Sequence, residues 1–132
     1  MSELPDSHPT QIDCLQEAIY HEARGEPFEG QVFVGFVIRN RVHNSRFPND
    51  FCDVIKQPWQ FSYNHVLGSF EMTDIAAAKL ARDIAEMVVK TNPAPIPDYV
   101  LYYHTTDIKP KWNYNKIQEY TVVGNHIFYE EL

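Results

Sequence analysis

The sequence predicts a single α+β domain, mainly helical in its N-terminal part, with a small antiparallel sheet near the C-terminus. Three observations carry that reading. Apolar residues recur every three or four positions in the stretches between Gln11 and Lys90. Pro93, Pro95 and Pro97 then impose an extended connector that no helix crosses. Beyond them, β-branched and aromatic residues concentrate in two short runs. A chain of 132 residues fits one domain, and folding at that size buries about two-thirds of the unfolded surface.

Residues 1–10 read as a flexible leader and residues 11–132 as the domain. Ile12, Leu15, Ala18 and Ile19 stand at helical spacing and place a first helix from about Gln11 to Glu22, broken after Arg24 by Gly25 and Pro27. A second helix runs from near Glu29 to about Val42, where Val32, Phe33, Phe36, Val37 and Val42 give an apolar face wide enough to pass through the core. Asn44–Pro48 is a turn and Asp50–Lys56 one or two helical turns, followed by an irregular loop bearing Trp59, Gln60, Phe61 and Tyr63. Thr73 is expected to cap the longest helix, about Asp74 to Lys90, with Ile75, Ala78, Ala81, Ala85 and Val88 along one side. The expected strands are Tyr99–His104 and Gly124–Tyr129.

Composition removes several function classes. The net charge of −7 argues against nucleic acid as a partner, because phosphate binding needs a basic face. The longest unbroken apolar run is about five residues, far short of a membrane span, so no membrane partner is expected. The polar, acidic N-terminus has no signal-peptide core, which gives the expectation of synthesis in the cytoplasm. Cys14 and Cys52 sit among apolar residues and read as two buried, reduced thiols, a bridge being the alternative for a protein working outside the cytoplasm.

The chemistry concentrates in Ala18–Pro27. Glu22 lies near the C-terminal end of an otherwise apolar helix beside Tyr20. Partial desolvation and the negative helix end both disfavour a charged carboxylate there, which suits a general acid. The alternative is a surface carboxylate paired with Arg24 or capping the next turn. A zinc site of the H-E-x-x-H kind is not expected, since position 25 is Gly and the second histidine is missing. No nucleophilic serine turn and no glycine-rich phosphate loop is present, and the reading calls for neither metal nor cofactor.

The run Ile19-Tyr20-His21-Glu22-Ala23-Arg24-Gly25-Glu26-Pro27 is followed by Glu29-Gly30-Gln31-Val32 and Val37-Ile38-Arg39-Asn40-Arg41-Val42. Further on come Phe47-Pro48, Cys52-Asp53-Val54-Ile55, Gln60-Phe61-Ser62, Tyr102-Tyr103-His104, Pro110-Lys111-Trp112 and Gly124-Asn125-His126-Ile127-Phe128-Tyr129. In this order the pieces resemble the spore-cortex-lytic (SleB-type) cell-wall hydrolase family over nearly the whole chain. The resemblance implies a lysozyme-like domain that cleaves peptidoglycan glycan strands between N-acetylmuramic acid and N-acetylglucosamine as a lytic transglycosylase. It places the catalytic acid on Glu22. A hydrolytic muramidase or glucosaminidase using the same Glu is the alternative within enzymes, and a non-catalytic glycan-binding module the alternative outside them.

Other residues follow from the same match. Glu26 falls on the second Glu of the motif, and a loop-fixing salt bridge with Arg24 or Arg41 is expected of it ahead of a catalytic role. Arg24 and Asn40 are expected to hold the turn after the first helix to the neighbouring helix. Gln60 with Phe61 matches a Q-F element whose amide would bind an N-acetyl group or position Glu22, and Trp59 and Tyr63 would offer apolar faces to sugar rings. Tyr103 and His104 lie where the first strand should end, at the edge of a glycan groove, with a structural role the alternative for His104. His126 is expected to make a structural hydrogen bond, while His8, His43 and His65 face solvent. Compactness without an export signal resembles a monomeric bacteriophage endolysin, made in the cytoplasm and acting on the host wall. The −7 charge gives no long-range attraction to anionic wall polymers.

Overall fold

A computed structural model describes residues 10–57 and 72–132. In it the chain forms α1 (Gln11–Ala23), α2 (Phe28–Val42), α3 (Phe51–Lys56) and α4 (Ile75–Lys90), then β1 (Val100–Thr105), β2 (Ile117–Val123) and β3 (His126–Glu131). The α+β order is as the sequence predicts. The loop bearing Trp59, Gln60, Phe61, Tyr63 and His65, and the leader up to residue 9 with His8, lie outside the described residues.

Helix α1 begins in a capping box: the Thr10 hydroxyl accepts from the Asp13 backbone N–H at 3.1 Å, and the Thr10 N–H donates to the Asp13 carboxylate at 3.0 Å. It ends where Gly25 takes φ +86°, a left-handed conformation that favours glycine. Helix α2 follows at Pro27 with almost all of Gly30–Arg41 buried, so it is the core helix, with apolar residues on every side. It crosses its neighbours closely at Gly35, where an added Cβ would lie 2.8 Å from Val88 Cγ2 of α4 and 3.3 Å from Ile19 Cδ1 of α1.

Two helical details differ from the sequence reading. Asp74, one residue after Thr73, caps α4 by accepting from the Ala77 N–H at 3.0 Å. Ile75 is 82% exposed, because the first residue of the helix lies beyond the packed stripe, and Ile84 joins Ala81, Ala85 and Val88 inside. The cysteine reading is also corrected. Cys14 and Cys52 are joined in a disulfide with their Cα atoms 5.2 Å apart, linking α1 to α3. Burial of both sulfurs was foreseen, but sequence gave no means of seeing that the two helices face one another. Gln11 reinforces the junction, donating to Asp50 at 2.8 Å and accepting from the Phe51 N–H at 2.7 Å.

Three consecutive polar residues at the end of α2 are buried, and each is satisfied by a different segment. The Arg39 guanidinium donates to the Val88 carbonyl at 2.9 Å and to Thr91 O and Asn92 Oδ1, closing the C-terminus of α4. Asn40 donates to the carbonyls of Pro97 and Val100, both at 3.0 Å, so it holds the proline connector and the start of β1. That replaces the expected tie from Asn40 to the turn after α1. Arg41 donates through Nε to Leu101 O at 2.8 Å. Together they fix β1 against the core helix.

The sheet is antiparallel in the order β1-β3-β2, with β3 central. Strand β2 was not foreseen: it is an edge strand with most side chains exposed, and its Gln118, Glu119 and Thr121 do not make an apolar run. Gly124 was expected in a strand. At φ +58° it is instead the turn residue between β2 and β3.

Candidate functional site

Glu22 sits in the last turn of α1, half-buried. Facing it is β1, whose Tyr103 is buried and donates its hydroxyl to Glu22 Oε1 at 2.8 Å. Tyr103 is set by the sheet: its ring packs on Phe128 (5.8 Å) and edge-on to His126 (5.3 Å), both from β3. Behind this pair lies the buried Arg41, whose charge acts on Tyr103, Tyr102 and Glu22. Burial pulls the Arg41 pKa down and those three groups oppose it. The carboxyl thus has a phenol donor on one side and a buried cation nearby, an arrangement that fixes its orientation and tolerates its negative charge.

Glu26, four residues on, does other work. Oε1 accepts from the Asn125 N–H at 2.8 Å and Oε2 from the Asn125 side-chain amide at 3.2 Å. The turn after α1 is thereby clasped to the β2–β3 turn. The expected salt bridge to Arg24 or Arg41 gives way to this clasp: Arg24 turns back to Tyr20, bonding its hydroxyl and lying 4.7 Å over its ring, and Arg41 is committed to β1. Gly124 is required at the clasp, since a Cβ there would lie 2.4 Å from Glu26 Oε1. His126 is 1% exposed, with Nδ1 3.7 Å from Glu26 Oε1. Its pKa is pushed down, first by burial, against the opposing pull of the Glu26 charge and the Glu22 backbone. Asn125 and Arg41 are the residues at this site that sequence reasoning undervalued; the only signal for either was its place inside a motif.

His104 does not join Glu22. Adjacent strand residues leave opposite faces of a sheet, and His104 follows Tyr103. It lies on the outer face, stacked on Tyr129 at 5.2 Å, with Nε2 2.8 Å from the Tyr129 hydroxyl and Nδ1 2.8 Å from Thr105 O. Both ring nitrogens are satisfied by a structural network. His43 is exposed, as expected. Gln60, Phe61 and Tyr63 lie outside the described residues.

Comparison with known proteins places this geometry. A profile of the Cell Wall Hydrolase family matches residues 25–129, beginning three residues after Glu22. The chain is 34% identical over 122 residues to a spore cortex-lytic enzyme of Bacillus subtilis and 35% identical over 118 residues to one of Bacillus cereus. Those alignments cover 90% and 89% of this chain but 37% and 43% of the relatives, so the chain spans about two-fifths of their length. Among solved structures, the catalytic domain of the germination-specific lytic transglycosylase SleB from Bacillus anthracis superposes with a TM-score of 0.68 at 29% identity, covering 95% of this chain and 98% of that one. The SleB catalytic domain of Bacillus cereus gives 0.64 at 30% identity, covering 93% of each. With a family profile matched over most of its length and two catalytic domains matched nearly end to end, the chain belongs to the Cell Wall Hydrolase family.

Proposed function

We propose that the protein cleaves peptidoglycan glycan strands as a lytic transglycosylase, with Glu22 as acid and then base. The observation that carries this is the Glu22–Tyr103 pair at the junction of α1 and β1, in a fold shared with the catalytic domain of a germination-specific lytic transglycosylase. In its protonated form Glu22 gives its proton to the glycosidic oxygen between N-acetylmuramic acid and N-acetylglucosamine. The bond from that oxygen to the muramic C1 breaks, leaving an oxocarbenium-like centre. The Glu22 carboxylate then takes the proton of the C6 hydroxyl, whose oxygen closes on C1 to form the 1,6-anhydro ring. Glu22 regains its proton, and no water is consumed.

One carboxyl group suffices for this cycle, whereas glycoside hydrolysis normally uses two. That suits a site in which Glu26 is tied up with Asn125. The Tyr103 hydroxyl holds Glu22 in place through both proton transfers. The Cys14–Cys52 disulfide favours action outside the reducing cytoplasm, at the wall. Glycan contacts from Gln60, Phe61 and Tyr63 complete the proposal, with the protein acting as a monomer.

The test is digestion of purified peptidoglycan followed by mass spectrometry of the soluble fragments. Products ending in 1,6-anhydro-muramic acid, one water lighter than hydrolysis products, are expected. Glu22→Gln should fold, with an unchanged thermal transition, and lose lysis by about a thousandfold or more, since it removes the proton donor itself. Fragments with free reducing ends would replace the transglycosylase by a hydrolase, and lysis by a folded Glu22→Gln protein would remove Glu22 from the chemistry.

A further inference from the structure

We propose a second saccharide site on the outer face of the sheet, taking a glycan that bears carboxylated peptide, on the side away from Glu22. It rests on the wall-glycan reading above and adds a separate binding surface to it. Tyr102 and Tyr103 leave β1 in opposite directions: Tyr103 packs inward on His126 and Phe128, and Tyr102 packs outward on Trp112 at 5.8 Å. Residues 108–116 cross that outer face, with Trp112 also against His104 and Tyr129. Beside Trp112 opens a cavity of about 650 Å3 whose lining includes Tyr102, Trp112, Arg46, Asn113, Asn115 and Lys116, together with the acid Glu131. That is within the range of about 300–1,000 Å3 typical of small-molecule sites.

The lining chemistry selects the ligand. Two aromatic rings offer apolar faces of the kind a pyranose ring packs on. The Asn113 and Asn115 amides both donate and accept, which hydroxyl and acetamido groups require. Arg46 is held in place by Glu131 at 2.5 Å, and Lys116 brings a further cation to the wall. Residues 108–116 contain three lysines and no acid in a chain whose net charge is −7. At the cavity itself Glu131 offsets Arg46, so Lys116 is the side-chain cation left over, with Lys109 and Lys111 on the same segment beside it; the carboxylates of a wall peptide complement that surplus. With the two sites on opposite faces, the protein holds one strand while Glu22 works on another.

The experiment uses the Glu22→Gln protein, so that binding is read without turnover. A soluble disaccharide-tetrapeptide from peptidoglycan is titrated while backbone amide shifts are followed by NMR, and retention on insoluble wall is measured in parallel. Shifts are expected at residues 113–116 as well as around Glu22, and Lys116→Glu and Asn115→Ala, both at exposed positions, should weaken the outer site by about tenfold. Unchanged thermal transitions of the two variants confirm folding. Shifts confined to the surroundings of Glu22, or equal wall retention by both variants, would overturn the second site alone. A ligand that shifts nothing, together with a wild-type protein that releases no fragments, would overturn both readings.

Discussion

Tyr103 turns a carboxyl group at a helix end into an oriented one. Its hydroxyl donates to Glu22 Oε1, and a hydrogen bond to a charged group contributes about 1.5–3 kcal/mol. Tyr103→Phe keeps the ring packing on Phe128 and should slow wall lysis by about tenfold to a hundredfold while shifting the thermal midpoint little; equal lysis rates would show that the hydroxyl does not serve the reaction. His126 sets a pH limit at the same place. Its folded pKa lies below the unfolded value, because burial disfavours the imidazolium. The unfolded chain therefore binds that proton more readily, and the contribution of His126 to stability is present above about pH 6.5 and lost as pH falls through its lower folded value. Urea unfolding at pH 5.5 and 7.5 should show a drop that is smaller in His126→Gln; the same drop in both proteins would assign it elsewhere. Glu22 was legible in the sequence because its motif is contiguous. Arg41 and Asn125 were not: their importance arises from partners sixty to ninety-nine positions away, and local spacing carries no trace of that.

At the scale of the elements, α1 and α4 were readable from an apolar repeat of helical period and α2 from an apolar stretch long enough to cross the core, and the breaks at Gly25–Pro27 and Pro93–Pro97 stop them cleanly. Strand β2 was not, since an exposed edge strand has little need of apolar residues and its sequence Ile117–Val123 is mixed. Thr73 and Asp74 are both competent caps; which one serves depends on where the chain leaves the preceding loop, a tertiary fact. Tyr20 contributes to that fact by accepting from the Asp74 N–H at 3.0 Å. The crossing at Gly35 is the tightest point between helices. Gly35→Ala gains helix propensity but drives a methyl toward the stiff Val88 side chain, and overpacking of that kind costs about 1–3 kcal/mol. A lowered urea midpoint is expected; an unchanged or raised one would mean that α4 yields at Val88 without loss.

Across the whole molecule, the disulfide joins α1 to α3 over a separation of 38 residues. Loop-closure entropy for a loop of that length is about 4 kcal/mol, a large part of the stability of a domain this size. Reduction with dithiothreitol should lower the thermal midpoint strongly, and Cys14→Ser with Cys52→Ser should reproduce the effect; a midpoint indifferent to reductant would show the cross-link to be dispensable. Sequence reading made the pair two thiols because it judged each cysteine by its neighbours in the chain, whereas the bond depends on the approach of two helices. Charge behaves in the same way. The net value of −7 belongs to the whole chain, while the lysines that bear on recognition are concentrated in residues 108–116, so a global sum hid a local field.

The central strand of the sheet is also the third of its strands in chain order. Strand β3 pairs with β1 on one side and β2 on the other, carries Phe128 and His126 beneath Tyr103, and follows the turn that clasps Glu26. On a ribosome, the helices and Glu22 emerge long before residues 126–131 exist to seat Tyr103 against them. A growing chain therefore carries Glu22 without a seated Tyr103 until β3 is made, so the Glu22–Tyr103 pair forms only after the whole sheet has emerged.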